Sequence, residues 1–365
     1  MAQADRCARA IFIDIRTTLI EANSTFGGGI AVLVAALLLA VPATAAPNEP
    51  DNPRTARLIQ SARQSTTYSH LSADDSFGDL LDHPAFAGFS RLVLPRADVE
   101  IDRGATLKGI SMLLPYHQNV EPSDVLKGLN RIIDDSSAGA RVFFDIYTDS
   151  EKRADPSKTQ TGLFFFRGRP GAPFAVIAPG GGFVYVGSVH EGFPYALDIN
   201  KHGYNAFVLR YRVGQGGLPA TQDLAKAISY VVRNAEALQV STVGYSVWGS
   251  SAGARMAAAI GTHGVASFGG DAISKPLTVV MAYTGHSESS ANDPPTFAAV
   301  GESDGIASPI VMERRVQALR HVGVRVEFHK YPALGHGFGR GTRTSAEGWI
   351  DDAVRFWEQA GMSPP

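Results

Sequence analysis

The sequence is poor in the residues on which several classes of site depend. Its 365 residues include one cysteine, Cys7. A single cysteine cannot form an intramolecular disulfide or a multi-cysteine zinc site. The 33 Lys and Arg residues nearly balance the 35 Asp and Glu residues, the net charge is −2, and no basic run is present. Nothing therefore favours a nucleic-acid partner or an anionic membrane surface.

The sequence also lacks an apolar run long enough to span a bilayer as a helix. The longest apolar stretch, residues 30–42, is too short for that purpose. Ala43-Thr44-Ala45 follows it and has the small-x-small pattern of a signal-peptidase site. We predict a leader over residues 1–45 that is cleaved near Ala45, export of the mature protein, and no stable membrane anchor in it. Cys7 lies in this leader, so thiol catalysis is excluded for the mature chain. The alternative is an uncleaved amphipathic N-terminal helix.

The remaining chain divides into two parts. Residues 46–140 read as a linker followed by a helical extension, which either packs outside the sheet or caps the active site. Residues 141–365 alternate short strands with helices, a pattern typical of a mostly parallel sheet with helices on both faces. We predict an α/β fold with eight strands near Val142–Tyr147, Gly162–Phe166, Phe174–Ala178, Ala206–Tyr211, Gly244–Trp248, Leu277–Ala282, Thr296–Val300 and Val324–Phe328. In such a fold the chemistry lies where the strands end.

Gly249-Ser250-Ser251-Ala252-Gly253 matches the G-x-S-x-G nucleophile elbow. An apolar strand precedes it and a helix follows, which is the context that this tight turn requires. Ser251 is therefore the predicted nucleophile. Gly301-Glu302-Ser303-Asp304-Gly305 is a second formal match, but Pro309 lies where the elbow helix would already be running.

The second match is better interpreted as the loop that supplies the acid. With His336 in Gly335-His336-Gly337, the chain order becomes Ser251, Asp304, His336, as this fold requires. His336 is the predicted general base, and Asp304 is the acid that orients it. Glu302 and Asp293 are rival acids, although Asp293 precedes its strand and so lies at the wrong end of the sheet.

A glycine run supplies the candidate oxyanion hole. Pro179-Gly180-Gly181-Gly182-Phe183 follows a predicted strand, and its backbone N–H groups can turn toward a tetrahedral oxyanion. We predict that Gly181 and Gly182 donate together with Ala252. A phosphate-binding loop is the competing interpretation, but the run lacks the residues of a P-loop and the spacing of a dinucleotide fold.

Taken in order, these pieces resemble the α/β-hydrolase esterases, in particular the hormone-sensitive-lipase-like and acetyl-esterase branch. Pro179 stands where that family has histidine, and Ser250 stands where many of its members have aspartate. The resemblance implies carboxylester hydrolysis through an acyl-enzyme, with no metal or organic cofactor. The matching pieces are Pro179 to Phe183, Gly187-Ser188, Gly203-Tyr204, Tyr211-Arg212, the elbow, the acid loop and Gly335-His336-Gly337-Phe338.

The expected substrate is a small soluble acyl ester, for example an acetyl or aryl ester of carbohydrate. Phe183, Tyr185, His190 and Tyr116 are the candidate pocket residues, the last because the 61–140 segment can form a wall there. Two alternatives stay open: an amidase, formamidase or exopeptidase with the same triad, and a non-catalytic binding protein on a hydrolase scaffold. Residues 283–295 are too few for a helical lid, so we expect no interfacial activation.

Overall fold

The computed structural model describes residues 67–362. These residues belong to one compact unit, Arg63–Pro365. The predicted leader, its cleavage site and Cys7 lie outside the described residues. No helix between residues 67 and 362 is both long enough and apolar enough to cross a membrane.

A mostly parallel sheet forms the centre of the fold, as predicted. Its eight strands lie in the order β1-β2-β4-β3-β5-β6-β7-β8. Strand β2 is antiparallel to β1 and β4, and the other pairs are parallel. The strands are β1 Phe143–Phe144, β2 Gly162–Phe166, β3 Pro173–Ala178, β4 Asn205–Arg210, β5 Ser241–Ser250, β6 Thr278–Ala282, β7 Thr296–Gly301 and β8 Val326–Tyr331.

Helices cover both faces of this sheet. Those before the second strand are α1 Phe77–Asp82, α2 Ser90–Val93, α3 Pro122–Ser137 and α4 Asp149–Ala154. Those after it are α5 Phe193–Lys201, α6 Gly217–Arg233, α7 Ala235–Leu238, α8 Ala252–His263, α9 Pro309–His321 and α10 Trp349–Met362. Short 3-10 turns occupy Pro84–Phe86, Leu107–Leu113, Pro156–Gln160 and Val265–Phe268, and a π turn occupies Ser188–Gly192.

Alternation along the strands produces two hydrophobic cores. Successive strand residues point to opposite faces of a sheet, and along β2 Leu163 and Phe165 join one core while Phe164 joins the other. The core that contains Phe164 also contains Leu80 and Leu129 from the N-terminal extension. Residues 67–140 thus pack against one face of the sheet and share its core.

The first strand is shorter than the sequence predicts. The expected strand Val142–Tyr147 is reduced to Phe143–Phe144 at the sheet edge. The chain leaves the edge there, and the Tyr147 hydroxyl donates to Asp223 at 2.6 Å instead of continuing along the sheet. The propensity of aromatic residues for strands is outweighed by this buried side-chain contact.

Candidate active site

Ser251 lies at the turn between β5 and α8. Its backbone has φ +50° and ψ −114°, a conformation that costs a non-glycine residue energy and that occurs at functional sites. The turn is so tight that a Cβ on Gly253 would lie 1.8 Å from the carbonyl oxygen of Ala178. The Ser251 N–H donates to Ala282 O at 2.9 Å, which ties the turn to the neighbouring strand β6.

The three predicted catalytic side chains form one hydrogen-bonded chain. His336 Nε2 lies 2.9 Å from Ser251 Oγ, and His336 Nδ1 lies 2.8 Å from Asp304 Oδ2. The other oxygen, Asp304 Oδ1, accepts the backbone N–H groups of Ile306 at 2.9 Å and Ala307 at 2.7 Å. Asp304 and His336 are both buried. The aspartate is therefore fixed on both oxygens, and the imidazole is aligned between an acceptor and a hydroxyl.

The rival acids and the second serine are not part of this hydrogen-bonded chain. Glu302 and Ser303 precede Asp304 in the sequence, and their side chains are exposed. Asp293 is buried at the amino end of β7, where it accepts hydrogen bonds from Thr262 Oγ1 at 2.5 Å and Arg315 Nη2 at 2.8 Å. Its carboxylate is thus occupied by a structural ion pair at the opposite end of the strand.

The glycine run after β3 curls against the elbow. Gly181 has φ +132°, and a Cβ there would lie 2.1 Å from the Tyr185 carbonyl oxygen. Gly182 and Phe183 also have positive φ, at +64° and +61°. Within residues 67–362, the N–H groups of Gly181, Gly182 and Ala252 donate to no other protein atom. Ala252 is the first residue of α8, so the helix dipole adds positive potential beside Ser251.

A cavity of about 200 Å³ opens beside the serine. Ser251, His336, Gly182, Ala252 and Phe183 line it, whereas Gly181 does not. Sequence reasoning missed the rest of the wall, which consists of Arg255, Thr284, Gly285, Ile306 and Ala307. Position provides a signal for some of them: Arg255 follows Ser251 by one helical turn, and Thr284 and Gly285 come just after a strand end.

Three of the four predicted pocket residues do not line the cavity. Tyr185 and His190 are buried and do not line it. The Tyr185 hydroxyl accepts the Tyr116 N–H at 3.0 Å, and His190 Nε2 donates to Gly337 O at 3.0 Å. The Tyr185 hydroxyl and His190 Nε2 thus form hydrogen bonds with the loops around the site. Tyr116 is partly exposed, does not line the cavity, and would touch a Cβ on Gly182 at 3.1 Å.

A buried carboxylate lies directly beneath the glycine run. One Glu191 oxygen accepts the Gly180 N–H in a short hydrogen bond. The other accepts the Tyr283 hydroxyl at 2.7 Å and lies 2.9 Å from His117 Nε2. The Tyr283 hydroxyl is also 2.9 Å from that of Tyr195. This cluster was not predicted, because its members come from separate parts of the chain; the only local signal was Tyr283 at a strand end.

Burial and charge together set the protonation of this cluster. Burial opposes ionisation of Glu191, but the charge and hydrogen bond of His117 outweigh it and lower the carboxyl pKa to about 2. Burial and the Glu191 charge raise the pKa values of Tyr283 and Tyr195 well above the ordinary value. Burial and His117 lower the pKa of His190 to about 4. Glu191 is therefore an ionised acceptor, surrounded by neutral tyrosine donors and a neutral His190.

Three comparisons place this geometry among known proteins. Residues 167–277 match the BD-FAE family model. The structure resembles an acetyl ester-xyloside bifunctional hydrolase from Caldicellulosiruptor lactoaceticus, with TM-score 0.53 and 23% identity over 61% of this chain and 97% of that one. It also resembles a thermophilic esterase from Thermogutta terrifontis in its propionate-bound form, with TM-score 0.50 and 19% identity over 56% of this chain and 91% of that one.

The chain has the α/β-hydrolase fold. The fold resemblance inferred from the ordered motifs is confirmed. No curated protein matches the sequence significantly. Within the described residues, no group of three or more His, Cys, Asp or Glu side chains is arranged to hold a metal ion.

Proposed function

We propose that this α/β hydrolase is a serine carboxylester hydrolase that acts on short-chain or small soluble acyl esters through an acyl-enzyme. The observation that carries the proposal is the hydrogen-bonded chain from Ser251 through His336 to Asp304, with distances of 2.9 and 2.8 Å, at the carboxyl ends of the strands. A nucleophile, a base and an orienting acid within hydrogen-bond reach is the arrangement that acyl transfer requires.

The steps follow from these positions. His336 Nε2 takes the Ser251 proton as Oγ attacks the ester carbonyl carbon, and Asp304 stabilises the imidazolium that forms. The tetrahedral oxyanion accepts hydrogen bonds from the backbone N–H groups of Gly181, Gly182 and Ala252. His336 then gives the proton to the leaving alcohol, which leaves an acyl group on Ser251. Water, deprotonated by His336, then attacks the acyl carbon. The second tetrahedral intermediate collapses, His336 returns this proton to the departing Ser251 Oγ, and the carboxylic acid is released.

The size of the cavity supports a small substrate. A volume of about 200 Å³ is below the roughly 300–1,000 Å³ of pockets that enclose drug-sized ligands. BD-FAE is a family of α/β-hydrolase-type esterases, and its match to residues 167–277 agrees with ester chemistry. The acetyl-ester activity named for the Caldicellulosiruptor lactoaceticus relative makes acetylated carbohydrate a reasonable class to test.

We also propose export of the mature protein, on the pattern of residues 30–45 alone. N-terminal sequencing of secreted protein tests this proposal.

A panel of p-nitrophenyl esters and matched p-nitroanilides tests the proposal. We expect turnover of acetate and butyrate esters and a loss of roughly 10³-fold or more in kcat for Ser251→Ala, because the members of a triad act as a unit. Faster hydrolysis of the anilides would instead assign an amidase. Absence of wild-type turnover on every compound would leave only a binding function, and equal turnover by wild type and Ser251→Ala would overturn the assignment of the nucleophile.

A further inference from the structure

The segment 116–118 of the N-terminal extension contacts both loops of the active site. Its Gln118 N–H donates to Gly337 O at 3.0 Å, next to the catalytic histidine. His117 Nδ1 lies 2.8 Å from the Tyr185 hydroxyl, and His117 Nε2 lies 2.9 Å from Glu191 Oε1. The extension therefore reaches beyond the sheet face on which its helices pack.

The His117–Glu191 pair is almost completely shielded from solvent. The two side chains are 2% and 0% exposed. Burying a charged pair is costly, and well-packed apolar side chains serve stability as well or better. One Glu191 oxygen accepts the Gly180 N–H. The buried pair therefore holds the peptide that precedes Gly181 and Gly182.

We propose that His117 and Glu191 are positioning residues for the oxyanion loop. Glu191 holds the Gly180 peptide so that the next N–H groups face the cavity, and His117 from the extension fixes the carboxylate. The inference rests on the proposed esterase function. It also assigns a role to the extension, because removing His117 would leave Glu191 Oε1 without the imidazole that lies 2.9 Å from it.

The variant Glu191→Gln tests this arrangement with little change of shape. A carboxamide has one oxygen and one NH2 group, so it cannot accept from Gly180 on one side and from Tyr283 and His117 on the other. We expect kcat to fall about 10- to 100-fold, less than the roughly 10²- to 10³-fold cost of deleting an oxyanion donor. KM should change little, because the cavity wall is intact.

Asp293→Asn is the matched control. Asp293 forms an ion pair with Arg315 that is about as deeply buried as the His117–Glu191 pair, but it lies at the amino end of β7, away from the oxyanion loop. It should lower the unfolding temperature but keep kcat, measured where each variant is folded. His117→Phe should repeat the Glu191→Gln effect, and it serves the same test if Glu191→Gln does not fold. The double variant should lose less than the product of the two single losses, because the residues act together.

Amide hydrogen exchange of residues 180–183, measured by mass spectrometry, separates this inference from the proposed function. Faster exchange in Glu191→Gln than in Asp293→Asn supports positioning, even if the wild type hydrolyses no ester. Unchanged exchange together with unchanged kcat in Glu191→Gln and His117→Phe overturns the inference, whereas loss of activity in Ser251→Ala still supports the esterase.

A separate observation concerns Arg255 on the cavity wall. This side chain lines the same cavity as Ser251. Among residues 67–362 it makes no ion pair. Glu288, an acid of the adjoining 283–295 connection, is 2.8 Å from His263 instead.

We infer that Arg255 binds a carboxylate carried by the substrate, so that the preferred ester is anionic, as an acylated acidic sugar would be. A guanidinium presents donors in a planar fork that matches a carboxylate. Its position one turn beyond the nucleophile places the charge beside the reacting ester instead of on a remote surface. This inference also rests on the proposed function.

Three esters test it: phenyl acetate, 4-acetoxybenzoate and monophenyl succinate, which are neutral, anionic in the alcohol and anionic in the acyl group. Arg255→Gln should lower kcat/KM for at least one anionic ester about 10-fold, a typical effect for a lost charge-assisted hydrogen bond. The loss for phenyl acetate should be several-fold smaller than the loss for that anionic ester, and Arg314→Gln, at an exposed position outside the cavity, should change neither class. An equal effect of Arg255→Gln on neutral and anionic esters overturns the inference, while hydrolysis of phenyl acetate tests the esterase independently.

Discussion

At the scale of single residues, the contacts of Asp304 hold its carboxylate in one orientation beside His336. Both oxygens are engaged, one by His336 and the other by two backbone N–H groups. The order of the motifs predicts this residue, because the fold requires the acid between nucleophile and base. Glu191 and His117 could not be predicted in the same way, since their contact depends on how the extension packs.

The expected result for Asp304→Asn is a fall in kcat of up to ~10⁴-fold, because an amide facing Nδ1 favours the wrong histidine tautomer. The measurement is steady-state hydrolysis of p-nitrophenyl acetate. Glu302→Gln is the control, because that side chain is exposed two positions away and should keep its activity. Activity in Asp304→Asn combined with inactivity in Glu302→Gln would mean that the acid is misassigned.

At the scale of elements, the strand and helix pattern was enough to predict the parallel sheet, the elbow and the loop after β3. It was not enough to locate the wall of the cavity. Tyr185 and His190 follow the glycine run in sequence, but the π turn Ser188–Gly192 and the close packing of Tyr185 under Gly181 carry them beneath the loop. Such local geometry is decided by packing and has no periodic signature in the sequence.

Gly182→Ala probes the oxyanion loop as an element. At φ +64° an alanine is strained, yet its methyl group would meet only the edge of Tyr116 at 3.1 Å, so the fold should survive. A tilt of the loop amides should lower kcat more than it raises KM, by up to the roughly 10²- to 10³-fold that one lost donor costs. A raised KM with normal kcat would show instead that the glycine only shapes the pocket.

At the scale of the whole molecule, stability should depend on the buried His190. Its pKa is lowered to about 4, whereas a histidine in an unfolded chain titrates near ~6.5. The unfolded chain therefore binds the extra proton, so this contribution to stability is full above pH ~6.5 and is lost as the pH falls through about 4. His117, Glu191 and Asp124 are the titratable groups that influence His190.

We expect the unfolding temperature of the wild type to fall between these pH values, and to fall less in His190→Gln, which keeps a donor for Gly337 O. His321→Gln, at an exposed position, should keep the wild-type pH dependence. Circular dichroism melts at successive pH values provide the measurement. Identical profiles for wild type and His190→Gln would contradict the prediction.

Access to the site is also a property of the whole molecule. Residues 283–295, which join β6 to β7, contain no helix, so this connection provides no helical lid. We therefore expect the rate on a longer-chain ester to rise smoothly with concentration. An abrupt increase above the solubility limit of that ester would show interfacial activation and contradict this expectation.

The proposal that Ser251 is the nucleophile is tested most directly by identifying the residue that carries the acyl or phosphonyl group. The protein is treated with a fluorophosphonate or trapped during turnover of p-nitrophenyl acetate, and its peptides are mapped by mass spectrometry. We expect a single modification on Ser251, which is abolished in Ser251→Ala and retained in Ser303→Ala. Modification of Ser303, or a reaction that persists unchanged in Ser251→Ala, would contradict it.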